Sequence, residues 1–536
     1  MRASGISFPK RRTASLDPNT ILLLVVGLNS AAGLLVHALR LRFRFVGWAV
    51  AHGLVLAISG LLYLAAPGIA GFVAAAVWFP VVLLPLLLSR WLGRLLVTRR
   101  YDLAELVCRI MAILHPADGL RSYPECIRVL GQIHSGDLEG ARRRLEAQTD
   151  RSGTLARFAT IHLLRAEGKW EELATWIESQ GDPVGSSPDI EAALHYERAL
   201  GECGRVEEML SFHDRLSERL RGGSAGAVAQ LQLAALSGRL ALTRELLEGP
   251  FRRYPEPIRE YWTAVAQQVA GESDAARATF ERLAKNGSPD LVAGSRRRLD
   301  QPLPTVRLDD LSPKASSALE KFEAGVRQEL RYQSVGIRAG DRPVVAPAIV
   351  LGNVGFFLAE IPGGTENLVN LIELGALVAP PLPGEWWRLV TAGFLHYGVW
   401  HLVLNLLGIL ILGLYVERVW GRMRLAFCYA SAMVGANLFA LAVVDAHPEA
   451  QIVMVGASGG VMGLLGASLA FAAAAWFRDR VAVLKRQIGA FLTVLVAQSV
   501  FDYFLPQVSS TLHLAGFAIG FLTALVLTAF VESPKD

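Results

Sequence analysis

Nine apolar runs, each close to the length a helix needs to cross a bilayer, are gathered at the two ends of this chain and constrain it more than any other feature. A hydrocarbon core about 30 Å thick takes roughly 20 helical residues. Three runs stand near the N-terminus: Ile21 to Leu39, Phe45 to Ala66 and Ile69 to Leu88. Six stand toward the C-terminus: Val344 to Ile361, His401 to Val416, Leu425 to Val444, Val455 to Phe477, Val481 to Leu505 and Thr511 to Val531. Lipid offers no partner to a backbone polar group, so such runs fold as helices, and the expected class is an all-α polytopic membrane protein. The first run is followed at once by a second and lacks a small-residue cleavage site, which excludes a cleaved signal peptide.

Apolar residues make up 52% of the 536, yet the middle of the chain is dense in Arg and Glu. The excess therefore sits at the ends, and an ordinary soluble enzyme is excluded. A net charge of +5 on so long a chain gives no argument for nucleic acid. The four cysteines, Cys108, Cys126, Cys203 and Cys428, are too few and too scattered for a disulfide framework or a CxxC metal site, and they read as reduced thiols.

Basic residues near span ends stay on the cytoplasmic side. In the last six spans one side collects Arg331, Arg338 and Arg342, then Arg418, Arg422 and Arg424, then Arg478, Arg480, Lys485 and Arg486, then Lys535, while the other has only Arg388. Both ends of this half, and the charged middle that precedes it, are expected in the cytoplasm. Arg90, Arg94, Arg99 and Arg100 flank the middle on its other side. Three leading spans then put Met1 outside despite Lys10, Arg11 and Arg12, an arrangement that Arg40, Arg42 and Arg44 in the first loop favour.

Between residues 101 and 300 the pattern becomes amphipathic helices of hairpin length. Turns recur at Ser135-Gly136-Asp137, Glu167-Gly168-Lys169, Cys203-Gly204-Arg205, Ser237-Gly238-Arg239 and Gly271-Glu272-Ser273, with the glycines 32, 36, 34 and 33 residues apart. Glycine takes the left-handed conformation that ends the first helix of a pair. The period resembles tetratricopeptide-type repeats, whose helix pairs stack into a solenoid with a binding face, although the aromatic and Ala positions typical of that repeat are poorly kept. A plain helical bundle is the simpler alternative. The resemblance implies a cytosolic protein partner. Pro302, Pro304 and Pro313 mark a linker, and Leu311 to Tyr332 reads as an amphipathic juxtamembrane helix. The expected organisation is a membrane region at 1–100, a helical-repeat domain at 101–300, a linker with its helix at 301–342, and a six-helix core at 343–536.

Polar groups within spans are costly, and those present usually face a cavity or a partner. Three sets stand out. Glu385-Trp386-Trp387-Arg388 is followed by Phe394 to His401 and then Asn405, with His401 and Asn405 four residues apart on one helical face. Gly456-Ala457-Ser458-Gly459 enters a later span, and His513-Leu514-Ala515-Gly516 opens the last, with Gly520 one turn on. Taken singly, each has a plainer reading: a membrane serine bonding its own helix, a packing histidine, tryptophans of an interfacial belt. His396 and His401 lack an HExxH pattern and a nearby carboxylate, so no metal is expected.

Taken together and in this order, these elements resemble the rhomboid family of intramembrane serine proteases over residues 343 to 531. Glu417-Arg418 with Gly421 matches that pattern too. The resemblance implies Ser458 as nucleophile and His513 as general base, a dyad without an acidic third member and without cofactor. It implies an oxyanion hole from His401, Asn405 and the Ser458 backbone N–H. Trp387 and Arg388 anchor the first loop at the outer interface in this reading, and His396 is structural. The glycines Gly456, Gly459, Gly516 and Gly520 bring the two reacting helices close. Met462 stands where many rhomboids have a tyrosine packed on the catalytic imidazole, and Leu512 where a smaller residue is common. The implied substrate is a transmembrane protein in the lipid bilayer, cut where its helix is destabilised and after a small residue, with water reaching the dyad from the outer side. Two rival readings remain: a catalytically silent rhomboid-like scaffold that binds client helices, and a transporter, which the lack of a mid-span acidic residue and of an inverted repeat disfavours.

Overall fold

The structure, a computed structural model, describes residues 17–39, 46–147, 154–185, 189–220, 223–334, 343–379, 384–445, 452–504 and 510–529. Lys10, Arg11, Arg12, Arg40, Arg42, Arg44, Arg338, Arg342 and Lys535, used above for topology, lie outside these residues. The described parts of Met1–Leu28, Leu62–Phe72 and Tyr332–Asp536 form one compact unit, and those of Asn29–Leu61 with Val73–Arg331 form a second.

Among the described residues nine helices are long and apolar enough to cross a membrane: Pro18–Ala38, Val46–Ala65, Ala70–Val97, Val345–Gly363, Val399–Trp420, Arg422–Val443, Ser458–Asp479, Val483–Phe504 and Ser510–Thr528. The protein is an all-α integral membrane protein with several spans. Two departures from the expected runs matter. The third helix continues to Val97 and passes through a π turn at Phe79–Leu83, where Pro80 supplies no N–H to the regular ladder. The seventh begins at Ser458 rather than Val455, because Ile452–Met454 is extended and paired as a strand.

In the second unit the five expected turns each join two helices: Tyr123–Ser135 to Leu138–Glu146, Thr154–Glu167 to Trp170–Ser179, Ile190–Glu202 to Val206–Leu220, Ser224–Leu236 to Leu240–Glu248, and Glu256–Ala270 to Ser273–Asn286. Gly136, Gly168, Gly204, Gly238 and Gly271 have φ of +89°, +74°, +74°, +74° and +92°, the left-handed conformation that the recurring glycine anticipates. Fully buried Leu173, Leu200, Leu233, Leu242 and Phe280 fill the layers between pairs. Each such side chain contributes about 1.5–3 kcal/mol on leaving water.

Residues 303–330, read above as linker and juxtamembrane helix, pack as part of this helical unit. Val306 N–H donates to Val269 O at 2.9 Å, Leu303 N–H to Gln268 Oε1 at 3.2 Å, and Ala315, Leu319, Val326 and Leu330 are buried in its core. The apolar face of helix Pro313–Ser334 over these residues is therefore covered by protein.

Candidate active site

The connection between the first two of the last six spans is built, not slack. It carries the short helices Leu368–Leu374 and Arg388–Thr391 and the strand Leu377–Ala379. That strand pairs antiparallel with Ile452–Met454 in the register Leu377 to Met454, Val378 to Val453 and Ala379 to Ile452. One side is covered by Leu371, Ile372 and Leu395, the other by Leu389, Ala440, Leu441 and the side chain of Leu512. Leu512, bulkier than the family commonly has there, thus fills this second cluster. Two residues past the strand, Gly456 N–H donates to Ala392 O at 2.8 Å. The chain entering the Ser458 helix is tied to the first loop at four of the five residues from 452 to 456, which sets where Ser458 stands.

Ser458 is the first residue of its helix and is half-buried. The first N–H groups of a helix have no partner within it and carry the positive end of its dipole, so the Ser458 backbone presents donors to a developing anion. This helix crosses Ser510–Ala529, which carries His513, at glycine contact. A Cβ on Gly516 would lie 2.4 Å from Gly459 O, and one on Gly520 would lie 2.1 Å from Gly463 O. Gly463 and Gly459 also face Ala432 and Ala436 of the neighbouring helix, where added Cβ atoms would come to 2.1 and 3.0 Å. No larger residue fits at this crossing. Among the described residues Ser458 Oγ and His513 share no hydrogen bond in this conformation.

His513 is buried, and its Nδ1 lies 2.7 Å from Asp502 Oδ2. Asp502 belongs to helix Ala482–Phe504, and its other oxygen accepts from Gln498 Nε2 at 2.7 Å. The resemblance implied a dyad without an acidic member; the structure corrects it by setting a buried carboxylate on the histidine. A carboxylate accepts only, so Nδ1 carries the proton and Nε2 is left with its lone pair, the tautomer a general base requires.

His401 follows the turn at Gly398, which has φ +83°. Its Nδ1 accepts from Tyr397 N–H at 3.3 Å, which puts the ring proton on Nε2. That Nε2 would lie 2.8 Å from a Cβ on Gly456, and Ser458 Oγ 3.7 Å from the same point, so the His401 donor and the serine hydroxyl converge beside a residue kept bare at φ +126°. Asn405 is buried one turn beyond, with Nδ2 donating to His401 O at 2.9 Å and a second N–H left on the same nitrogen.

The remaining expected residues fall around this centre. Glu417 caps the first of the six spans: its Oε1 accepts from Val344 and Val345 N–H at 2.6 and 2.9 Å, and its Oε2 from Ala346 N–H at 2.8 Å. Arg388 is buried within the protein. It donates to Ile372 O and Ala376 O at 2.6 and 2.9 Å, pairs with Glu385 and lies over the Trp387 ring, so it ties the loop together from inside while Trp387 stays half exposed. His396 is fully buried, with its backbone N–H on Glu360 Oε1 at 2.9 Å and its ring edge-on to His401 at 5.3 Å. Met462 is buried one turn after Ser458. Asp502 and Glu360 were not singled out from the sequence. Each sits near a span end, where a charge ordinarily marks the edge of the membrane.

Comparison with known proteins agrees with this geometry. Residues 383–530 match the family model described as Rhomboid domain. The chain is 32% identical over 268 residues to Rhomboid protease GluP of Bacillus subtilis (strain 168), covering 47% of this chain and 50% of that protein. It is 32% identical over 164 residues to RHOMBOID-like protein 5 of Arabidopsis thaliana, covering 30% of this chain and 50% of that protein. It is also 29% identical to Inactive RHOMBOID-like protein 8 of Arabidopsis thaliana, over 32% of this chain and 47% of that protein. The chain spans about half the length of these curated relatives. No solved structure gave a significant match. Its motifs, the five spans it contains and these matches identify the C-terminal region, residues 383–530, as a rhomboid domain.

Proposed function

We propose that this protein is an intramembrane serine endopeptidase that cuts a peptide bond in or near a transmembrane segment of a membrane-protein substrate. The observation that carries the reading is the 2.7 Å contact from His513 Nδ1 to buried Asp502, on a helix in glycine contact with the one that Ser458 begins. Ser458 Oγ attacks the carbonyl carbon and passes its proton to His513 Nε2 as the hydrogen bond between them closes on substrate. The imidazolium so formed is stabilised by Asp502. The oxyanion accepts from the Ser458 backbone N–H, His401 Nε2–H and Asn405 Nδ2–H. His513 then protonates the leaving amine, and water, activated by the same imidazole, releases the acyl group. The substrate bond must be unwound first, since a helix ties up its carbonyls, which favours segments with helix-destabilising residues near the cut and a small residue before it.

Arg418, Arg422, Arg424, Arg478 and Arg480 favour a cytoplasmic helical unit and C-terminus, with water reaching Ser458 from the opposite side. The helix pairs of residues 123–286 suit a cytosolic protein partner.

A transmembrane model substrate incubated with the purified protein tests the activity. Wild type is expected to cleave it, and Ser458→Ala and His513→Ala are expected not to; equal cleavage by all three ends the proposal. The second reading is a silent scaffold, which the relative named inactive and the open Ser458–His513 pair favour. A serine-directed fluorophosphonate probe separates the two, because a scaffold leaves Ser458 unlabelled.

A further inference from the structure

The helical unit encloses a cavity of about 310 Å³ whose charge is one-sided. Arg99, Arg165, Arg198 and Arg297 line it, against a single carboxylate, Asp290. That carboxylate is already used: Arg99 Nη1 and Nη2 hold its two oxygens at 2.5 and 2.8 Å. Arg198 is held with its guanidinium 5.0 Å from the ring centres of both Trp170 and Trp262, and Nε donates to Glu202 Oε1 at 3.1 Å. Glu202 is in turn shared with Arg298.

Two cations remain without a counterion. Arg297 donates to Ala166 O at 2.9 Å, a neutral acceptor, and its guanidinium lies over the turn glycine Gly168, where a Cβ would come within 2.0 Å of Cζ. The Arg165 side chain makes no hydrogen bond or ion pair among the described residues. The Tyr261 hydroxyl lines the same cavity, also without a hydrogen-bond partner among them. Arg165, Arg198 and Arg297 line the cavity together with this residue. Burial, followed by Arg198, pushes Arg165 down to about 10, the mark of positive charge gathered where water is scarce. Unpaired buried charge costs several kcal/mol, and a fold that keeps it has a use for a counter-charge.

Nearby His162, Glu191 and His195 approach one another closely enough to suggest a metal. The positive charge of Arg165 acts on both imidazoles, and a cation placed among them would meet that charge. We propose instead that this cavity is a binding site for a small organic anion. Its carboxylate or phosphate would be gripped by the Arg165 and Arg297 forks and the Tyr261 hydroxyl, with its apolar body against Trp262 and the other aromatic walls. Guanidinium forks match the planar oxygens of either headgroup, and the volume sits at the low end of small-molecule pockets. The cavity is lined by residues on nine helices, drawn together from positions 96 to 297.

Calorimetric titration of the full-length protein in detergent with phenyl phosphate and, separately, with benzoate tests this. At least one probe is expected to bind saturably, and the tighter of the two names the headgroup. Affinity is expected to fall at least about tenfold in Arg165→Gln and in Arg297→Gln, with Arg165→Lys between. Tyr261→Phe removes one donor with little change of shape and is expected to weaken binding about threefold to tenfold, so it keeps the test open if an arginine variant does not fold. No saturable binding of either probe up to about 10 mM, or affinity unchanged in these variants, overturns the site.

Discussion

His513 Nδ1 and Asp502 Oδ2 stand 2.7 Å apart, and both side chains are buried between the last two spans. A carboxylate there does for the imidazole what no feature of the Ser458 helix can do: it chooses the tautomer and holds the ring plane. Asp502 is in turn held by Gln498, so the chain of orientation runs from Gln498 through Asp502 to His513.

Asp502→Asn preserves the volume and removes the charge. Its amide can offer N–H toward Nδ1 and favour the wrong tautomer, which in Ser-His-Asp proteases costs roughly 10⁴-fold. The expected outcome is a fall in kcat of about 10²-fold or more with KM little changed, read on the transmembrane model substrate. Wild-type kcat in Asp502→Asn would show that the carboxylate does not act through His513.

Gly516→Ala tests the helix crossing. The added methyl meets backbone, Gly459 O at 2.4 Å, and backbone moves only if the helices separate. A loss of about 1–3 kcal/mol in detergent unfolding and a marked loss of cleavage are expected. Gly355→Ala has open space around it and serves as the control, with stability and cleavage unchanged.

His401→Ala removes the Nε2 donor beside Ser458. One oxyanion donor is worth about 10²–10³ in kcat, and that loss is expected with labelling of Ser458 by a fluorophosphonate probe reduced in parallel. Full kcat in this variant would remove His401 from the oxyanion hole.

Glu417→Gln keeps an acceptor at the start of helix Val345–Glu360 but halves its reach and removes the charge that suits a helix N-terminus. About 1 kcal/mol of stability should be lost, and about 2 kcal/mol or more in Glu417→Ala, which leaves three N–H groups to find other partners. Thermal unfolding of the two variants beside wild type measures the difference.

What could be read in the chain and what could not follows from range. Helical spans are local: an apolar run long enough to cross lipid becomes a helix whatever lies elsewhere, so the nine runs and nine helices agree within a few residues except at Val97 and Ser458. The turn glycines are local too, since φ near +74° to +92° excludes most side chains wherever the turn sits. The strand Leu377–Ala379 was not legible: three residues show no alternation, and its partner lies more than seventy residues away. Nor were the partners of Arg388, the carbonyls of Ile372 and Ala376, legible, because they lie sixteen and twelve residues back along the first loop.

The amino-acid order alone settled which stretches enter lipid, where the helical hairpins turn, and which serine and histidines share a recognisable pattern, because each depends on the chemistry of a short segment. Tertiary structure alone decided that His513 meets Asp502, that Leu377–Ala379 pairs with Ile452–Met454, and that four arginines line one cavity. Those facts depend on residues of separate helices and strands being brought together, and only packing specifies such distances.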